Sequence, residues 1–316
     1  MKQILRAGRL PFKSVVELAF HHEPAPYAIN NAATQRPAVV NVHGIFGSNK
    51  LFRPLNKPLA EGLNTDVYSI DLRNHGNSPR ALPYDYVSFT RDVIHFIKKE
   101  IGEQRPVQVI GFSIGGKIAL LAALCPHINV QKCISIDMPP YATPNMDPII
   151  LQNYELIMKI IRREIKIKKG SKNWRQVLLG YFKKVPANIG NKGDPSLYFA
   201  NGFYMVKENG KPPSDGQEDP YIDFYLPLDQ FPNLITEVKK WPDLRGDDNA
   251  EGLLGLSTEA RVLFMRGMRS CFIKDDYSLL KKSFPNSIVE EYDTGHNITV
   301  EKPEICLRNM IDFLRH

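Results

Sequence analysis

A serine near the middle of the chain lies in the setting that covalent acyl chemistry requires. Residues 111–115 read GFSIG, after a short apolar run and before a stretch of helical character. A nucleophile at such a strand-to-helix corner has a strained backbone, and the positions two before and two after it must lack bulk so that strand and helix can close together. Gly111 and Gly115 meet that requirement. We therefore predict that Ser113 is a nucleophile.

A serine hydroxyl is a weak nucleophile at neutral pH, so it needs an imidazole as general base and a third group that holds the imidazole in one tautomer. His296 lies after the last predicted strand and before the C-terminal helix. Loops that leave the carboxyl ends of parallel strands gather at one edge of a sheet, so His296 and Ser113 can meet there. We predict that His296 is the base.

The orienting acid has two candidate positions. Asp137 follows its apolar strand immediately, whereas Asp275 and Asp276 come further beyond a later strand, where they are suited to capping a helix. The chain order serine, acid, histidine is compatible with either position. We favour Asp137 and keep the pair as the alternative.

Acyl transfer also needs donors where negative charge develops on the carbonyl oxygen. The backbone N–H of Ile114 follows the nucleophile at a helix N-terminus, whose dipole favours negative charge. We predict that the N–H of Ile45, in the sequence HGIFG at 43–47, is the second donor. This pair would form an oxyanion hole.

Other polar residues are predicted to be structural. His43 belongs to a His-Gly turn and is expected to shape that loop, and Arg73, His75 and Ser78 are expected to organise the loop 73–78. Among the eight histidines only His21 and His22 are adjacent, with no acid or thiol at ligand spacing, so no metal site is predicted.

Strand and helix patterns alternate around these residues. Apolar runs predict strands at 15–20, 38–42, 66–71, 107–110, 133–136, 261–265 and 287–292. Helical spacing predicts helices at 51–62, 86–101, 117–124 and 302–314. This alternation predicts an α/β fold with a mostly parallel sheet flanked by helices.

The alternation stops over 139–257, which we predict to be an inserted, mainly helical lid on a core of 15–138 and 258–316. The stretch 148–167 has isoleucines on one helical face and cations on the other. A solvated helix over an apolar floor is favoured over a phosphate or anionic-lipid site. The apolar face carries Ile157, Ile160, Ile161 and Ile165, and the other carries Lys159, Arg162, Arg163 and Lys166. Residues 208–220 are predicted to be an exposed loop of the lid.

Composition is that of an ordinary soluble protein. The chain has 316 residues, 43% hydrophobic and 24% charged, and contains no apolar run long enough to cross a bilayer. Its net charge of +7 comes without a nucleic-acid motif, so no nucleic-acid partner is predicted. The four scattered cysteines indicate free thiols in a reducing compartment. The basic, acid-free segment 1–14 predicts a mitochondrial presequence remnant, with a disordered tail of a cytoplasmic protein as the alternative.

Five segments together resemble one branch of the α/β-hydrolases. They are HGIFGS at 43–48, DLRNHGNS at 71–78, GFSIGGK at 111–117, SIDMP at 135–139 and GH at 295–296. The branch contains abhydrolase-domain-containing protein 11, small bacterial acyl esterases and fungal mitochondrial ethanol acetyltransferases. The likeness runs from about residue 15 to the C-terminus. It implies the α/β-hydrolase fold, with Ser113 as nucleophile, Asp137 as orienting acid and His296 as base.

The chain departs from that branch at two positions. Phe112 stands where the branch usually has histidine, and Asn297 replaces an aromatic residue that often follows the catalytic histidine. Both changes bear on the acyl pocket and on water access. Phe46, Phe112 and Met138 lie beside the predicted site and are expected either to narrow an acyl pocket or to pack into the sheet core.

The residues and the resemblance together predict acyl transfer through an acyl-enzyme. The fungal likeness favours a short-chain alcohol acetyltransferase that makes ethyl acetate from acetyl-CoA and ethanol, with ester and thioester hydrolysis as side activities. Acetyl-CoA would be a substrate, and no bound cofactor is expected. The alternatives are a carboxylesterase or thioesterase without transferase activity, and a hydrolase-fold binding protein without catalysis.

Overall fold

A seven-stranded sheet forms the centre of the protein in the computed structural model. The structure describes residues 11–27, 36–144, 148–168, 171–183, 185, 203–204, 222–224, 231–248, 252–274 and 276–316. The sheet strands are β1 Phe20–Glu23, β2 Ala38–Val42, β3 Val67–Ile70, β4 Val107–Phe112, β5 Val130–Ile136, β8 Arg261–Gly267 and β9 Ser287–Tyr292, with the ribbon strands β6 Phe203–Tyr204 and β7 Asp223–Phe224 between β5 and β8. Their order across the sheet is β1-β3-β2-β4-β5-β8-β9.

Only the edge strand β1 runs antiparallel to its neighbour in this sheet, and every other pair is parallel. The carboxyl ends of the parallel strands therefore meet at one edge. The predicted fold class, a mostly parallel sheet in an α/β protein, is confirmed.

Helices cover both faces of the sheet. The helices in the described ranges are α1 Arg53–Leu63, α2 Tyr86–Phe96, α3 Ile114–Ala123, α4 Pro148–Lys159, α5 Trp174–Phe182, α6 Phe231–Val238, α7 Ser278–Ser283, α8 Ile298–Glu301 and α9 Pro303–Arg315. Helices α1 and α9 pack together on one face, and α2 and α3 pack together on the other. No helix in the described ranges is long and apolar enough to cross a membrane.

The central strands read as continuous apolar runs because both of their faces are buried. In β2, Val39 belongs to the cluster under α1 and α9, whereas Val40 and Val42 belong to the cluster under α2 and α3. All four cysteines lie in the described part of the chain, and none of them forms a disulfide.

The predicted strand at 15–20 is wrong. The structure begins β1 at Phe20, and two backbone N–H groups before it donate to side chains. The N–H of Val16 donates to Asp92 Oδ1 at 2.9 Å, and the N–H of Ala19 donates to Ser78 Oγ at 2.8 Å. The run enters backbone pairing only at its end, where the carbonyl of Ala19 accepts from the N–H of Asp71 at 2.7 Å.

Arg73 has the structural role predicted for it. Its guanidinium is fully buried and forms two bonds with the equally buried Asp92, Nε to Oδ2 at 2.6 Å and Nη2 to Oδ1 at 2.7 Å. It also donates to the carbonyls of Lys13, Ser14 and Pro83. This one side chain ties the N-terminal segment to the core.

Between β5 and β8 the described residues include three helices, α4, α5 and α6. Helix α4 continues into a π-helical turn, Ile160–Glu164, and the predicted amphipathic pattern is confirmed. Ile157, Ile160 and Ile161 are buried, whereas Lys159, Arg162 and Arg163 are exposed. The boundaries of the lid at 139–257 stay a prediction, and its loop at 208–220, like residues 1–10, lies outside the described residues.

Lys117 joins helix α3, which follows Ser113, to the lid. It is fully buried, and its ammonium donates to the carbonyls of Val238 at 3.2 Å and Lys240 at 2.6 Å, at the end of α6. The ammonium also lies 5.4 Å from the centre of the Tyr86 ring. Burial lowers the pKa of Lys117 to about 7, although the charge of Glu237 raises it.

Lys117 should give the protein a pH-dependent stability. An unfolded lysine keeps its proton up to a pKa of about 10.5, so between pH 7 and pH 10.5 the unfolded chain binds more protons than the folded one. The free energy of unfolding should therefore rise with pH across this window. Urea unfolding at pH 7 and pH 9 should show a gain about 2 kcal/mol larger in the parent protein than in Lys117→Met. The exposed control Lys57→Met should keep the gain, and a Lys117→Met variant with an unchanged gain would refute this account.

Candidate active site

Ser113 lies at a strained corner between β4 and α3. Its backbone has φ 57° and ψ −124°, a conformation that a residue with a side chain rarely adopts. The corner is fixed by two backbone bonds, from the N–H of Ser113 to the carbonyl of Ile136 at 3.2 Å and from the N–H of Gly116 to the carbonyl of Ser113 at 2.8 Å. The local geometry is that of the predicted nucleophile elbow.

The two glycines of the elbow allow bare backbones to touch. A Cβ on Gly111 would lie 2.0 Å from the carbonyl oxygen of Gly115, and one on Gly115 would lie 2.2 Å from the carbonyl oxygen of Val42. Both contacts are with backbone atoms, which cannot move aside cheaply. The close packing of β2, β4 and α3 therefore requires glycine at both positions, as predicted from the sequence.

Asp137 directly follows β5 and is fully buried, with φ 53°. Its Oδ2 lies 2.7 Å from His296 Nδ1, and its Oδ1 accepts from the N–H of Gly267 at 3.0 Å. The hydroxyl of Ser270 bonds to the same carboxylate. Three partners therefore converge on one buried carboxylate.

The alternative acids do not have this geometry in the described residues. Asp276 is exposed, and its Oδ1 accepts from the N–H of Ser278 at 2.9 Å, at the start of α7. The N-cap residue of α7 is Tyr277, so the capping role predicted for the pair is not the one that the structure shows for Asp276. Asp275 lies outside the described residues. The acid that the structure brings to His296 is Asp137.

Burial raises the pKa of Asp137, while the hydrogen bond and charge of His296 and the bonds from Ser270 and Gly267 lower it; the net direction is upward. The carboxylate lacks water, so its negative charge depends on these partners. A carboxylate only accepts, so Nδ1 of His296 carries the proton toward Asp137 and Nε2 is left with a free electron pair. The imidazole is thus held in the tautomer that a general base needs.

Residues Glu301 and Arg269 hold the loop that carries His296 in place. The carboxylate of Glu301 accepts from the N–H of Gly295 at 2.9 Å and from Arg269 Nη2 at 2.8 Å. The N–H of Arg269 donates to the carbonyl of Thr294 at 3.0 Å. A Cβ on Gly267 would lie 2.3 Å from the carbonyl oxygen of Gly295. The loop after β9 is thereby pressed against the end of β8.

Two aromatic rings enclose the imidazole. The ring centre of Phe112 lies 4.9 Å from that of His296, and the ring centre of Phe272 lies 4.5 Å from it. Phe112 is the neighbour of Ser113 in the chain, so its ring links the elbow to the histidine. The two aromatic rings cover part of the imidazole.

The loop after β2 is also strained and buried. Phe46 has φ 63°, and Ile45 and Phe46 are both buried. His43 donates from Nδ1 to the carbonyl of Gly44 at 2.7 Å and accepts at Nε2 from the N–H of Leu72 at 3.0 Å. Burial lowers the pKa of His43 well below its usual value, so the ring is neutral. His43 shapes this loop, as predicted, and both of its nitrogens are occupied.

The neighbouring loop also matches its predicted structural role. His75 donates from Nδ1 to the carbonyl of Arg73 at 2.9 Å, and burial lowers the pKa of His75 to about 4. The hydroxyl of Ser78 donates to the carbonyl of Asp71 at 2.6 Å.

The predicted pocket residues lie in different surroundings. The ring centre of Phe46 lies 5.6 Å from that of Tyr154, a buried residue of the lid helix α4. Phe112 lies against His296, whereas Met138 is fully buried in the main core cluster beside Gly116. A pocket role for these three residues stays a prediction.

Several residues of the site were missed by the sequence reasoning. Two of them have a local signal, because the glycine Gly267 and the serine Ser270 come shortly after the strand predicted at 261–265. Contacts made across the fold gave no local signal. The missed residues are Tyr154, Gly267, Arg269, Ser270, Phe272 and Glu301. Across the described ranges, no group of three or more His, Cys, Asp or Glu residues is placed to hold a metal ion.

Comparison with known sequences connects this site to a family. A family described as having the alpha/beta hydrolase fold matches residues 37–303. The chain is 30% identical over 312 residues to ethanol acetyltransferase 1 of Wickerhamomyces anomalus, covering 97% of this chain and 76% of the yeast protein. It is 29% identical over 316 residues to ethanol acetyltransferase 1 of Cyberlindnera jadinii, covering 96% of this chain and 88% of that protein.

Solved structures share the fold. A marine microorganism esterase superimposes with a TM-score of 0.73 at 21% identity, covering 94% of this chain and 99% of the esterase. The thioesterase domain from the curacin biosynthetic pathway gives a TM-score of 0.60 at 14% identity, covering 95% of this chain and 99% of that domain. At these identities the likeness concerns the fold alone.

The elbow should tolerate no side chain at Gly115. In Gly115→Ala the added Cβ meets the backbone of β2, so we expect a loss of about 3 kcal/mol in the free energy of unfolding. Gly180 in α5 is the matched control, because a Cβ there meets nothing within 4 Å. Gly180→Ala should be neutral or stabilising by up to about 1 kcal/mol. Denaturant unfolding measures both, and equal effects of the two substitutions would contradict the close packing described here.

Proposed function

We propose that this chain transfers acyl groups through an ester on Ser113. The chain belongs to the family of proteins with the alpha/beta hydrolase fold, and it is an enzyme of the hydrolase or acyltransferase type. The observation that supports this best is the 2.7 Å bond between the buried Asp137 and His296, next to the strained serine corner. Asp137 orients the imidazole, and His296 is the general base.

In the first half of the reaction, His296 Nε2 takes the proton of Ser113 Oγ while Oγ attacks the acyl carbonyl carbon. The carbonyl oxygen becomes negative and is stabilised by the backbone N–H groups of Ile45 and Ile114. The bond to the leaving group then breaks, and the imidazolium gives its proton to the departing thiolate or alkoxide. The products are a free thiol or alcohol and an acyl ester on the serine.

In the second half, an acceptor hydroxyl gives its proton to His296 and its oxygen attacks the acyl ester. The imidazolium returns the proton to Ser113 Oγ, which restores the enzyme. Water as acceptor releases a free acid, and an alcohol releases an ester. The same three side chains serve both outcomes, so the acceptor is selected by the surroundings of the imidazole.

We propose a short-chain alcohol acetyltransferase with acetyl-CoA as donor and ethanol as acceptor. The support is the likeness to proteins named ethanol acetyltransferase over nearly the whole chain. The aromatic rings of Phe112 and Phe272 beside His296 limit its contact with water, which favours an alcohol as acceptor. Phe46, with the lid residue Tyr154 above it, is proposed to limit the acyl chain.

Ester or thioester hydrolysis without alcohol transfer is the second candidate. It is favoured by the fold shared with an esterase and a thioesterase domain. Hydrolysis by the same acyl-enzyme is proposed as a side activity of the transferase.

The purified protein should form ethyl acetate from acetyl-CoA and ethanol, and the ratio of ester to free acetate should rise with ethanol concentration. Ser113→Ala should lower the total acetyl turnover by at least about 10⁴-fold and abolish labelling by a fluorophosphonate probe. Ser278→Ala, which changes an exposed serine at the start of α7, should do neither. Gas chromatography of the ester and a thiol assay for released coenzyme A give the two rates.

Three other outcomes of this experiment have distinct meanings. Acetate without ester at every ethanol concentration would reject the transferase and leave the hydrolase. Equal turnover and labelling in the parent protein and in Ser113→Ala would reject the serine mechanism. A folded protein without turnover or labelling would support a binding role for the fold.

A further inference from the structure

A cleft of about 330 Å³ opens between the core and the lid, and its lining is basic. The residues that line it are Lys50, Arg53, Pro54 and Arg175. All four residues are exposed to solvent. Three positive charges on one concave surface form a site for an anion that carries several negative charges.

Two elements of the core and one of the lid build this cleft. Lys50 lies in the short 3₁₀ turn Asn49–Phe52, where the hydroxyl of Ser48 accepts from its N–H at 3.4 Å. Arg53 is the first residue of the eleven-residue helix α1, which directly continues the 3₁₀ turn. Arg175 comes from the first turn of the lid helix α5. A ligand held here would contact both core and lid.

The cleft is tied to the proposed acyl site through one loop. Lys50 follows Ile45 by five residues, so their backbones are at most about 18 Å apart. The buried carboxylate of Asp71 holds this loop, because it accepts from the N–H of Asn49 at 2.6 Å and from the N–H of Asn77 at 2.9 Å. The charge of Lys50 also acts on Asp71, but that carboxylate is buried under the loop. The segment that joins the cleft to Ile45 is therefore anchored to the core.

We infer that this cleft binds the phosphate groups of a thioester donor whose acyl end lies at Ser113. Arginine guanidinium groups match phosphate oxygens in a two-pronged geometry, and a lysine adds a point charge. A donor with phosphates on a long arm, of the coenzyme A class, fits a basic cleft separated from the reacting carbonyl. This inference rests on the proposed function and adds to it a recognition site for the donor.

The cations on the lid helix are less suited to this task. Lys159, Arg162 and Arg163 are exposed along one face of α4 and its π-helical turn. The cations of the cleft come instead from two sides of one concavity, which is the geometry that holds a polyanion. The alternative source of the same phosphate chemistry is the headgroup of a membrane lipid.

The first experiment compares two donors. Lys50→Gln, Arg53→Gln, Arg175→Gln and the triple variant are assayed with acetyl-CoA and with S-acetyl-N-acetylcysteamine, an acetyl thioester without phosphates. The ratio of kcat/KM for acetyl-CoA to kcat/KM for the phosphate-free donor should fall about threefold in each single variant and roughly 25-fold in the triple variant. The effect should weaken as salt is added.

Lys57→Gln is the matched control, because it removes one exposed lysine from the same helix α1 outside the cleft. Its donor ratio should equal that of the parent protein. A triple variant whose ratio is unchanged, or a control whose ratio falls as much as the cleft variants, would overturn the inference.

Direct binding separates this inference from the proposed function. Adenosine 3′,5′-bisphosphate should bind the parent protein in calorimetry and lose at least tenfold in affinity in the triple variant. If that loss occurs in a protein without acyl turnover, the phosphate site stands and the proposed function fails. If turnover with acetyl-CoA is normal and the bisphosphate binds the parent and triple variant equally, the function stands and the phosphate site fails.

Vesicles test the lipid source. Phosphatidylcholine vesicles with and without phosphatidylserine are sedimented with the parent protein and the triple variant. Equal sedimentation of both proteins, together with the loss of bisphosphate binding, supports the soluble donor. A loss of vesicle binding in the triple variant with unchanged bisphosphate binding would make the cleft a membrane contact and overturn the inference.

Discussion

The candidate site depends on one buried carboxylate. Asp137 has no access to water, and removing a carboxylate from water costs several kcal/mol unless partners replace the lost hydrogen bonds. The sheet order supplies them, because β8 lies between β5 and β9. Asp137 after β5 thus reaches Gly267 and Ser270 around the end of β8 and His296 after β9. The orientation of the imidazole therefore follows from the order of the strands in the sheet.

Strained corners recur where these strands end. Phe46, Ser113 and Asp137 have φ values of 63°, 57° and 53°, and they follow the adjacent strands β2, β4 and β5. Each such conformation costs roughly 1–3 kcal/mol and persists only where the surroundings fix it. The close backbone contacts of Gly111 and Gly115 supply that constraint. Three neighbouring turns at this edge of the sheet therefore share a left-handed φ.

Much of this architecture could be predicted because its signals are local. The strands 38–42 and 287–292 have the predicted bounds. The first is a mostly apolar run that is buried throughout, which is a pattern the sequence shows directly. The glycines of the elbow are required by close backbone contact. The strand at 15–20 was wrong because side chains far along the chain, such as Asp92, bond to that backbone. The contacts of Ser270, Glu301 and Lys117 join residues remote in sequence, so no spacing rule reports them.

The central claim is that Asp137, held in this network, keeps His296 in the tautomer that activates Ser113. Rapid-mixing measurement of the acylation of Ser113 by p-nitrophenyl acetate, in Asp137→Asn and in Asp276→Asn, tests it most directly. The account predicts that Asp137→Asn acylates about 10⁴-fold more slowly while still folded, because an amide can donate to Nδ1 and stabilise the wrong tautomer. Asp276→Asn should acylate at the parent rate. A folded Asp137→Asn protein that acylates at the parent rate, or a large loss in Asp276→Asn alone, would contradict the account.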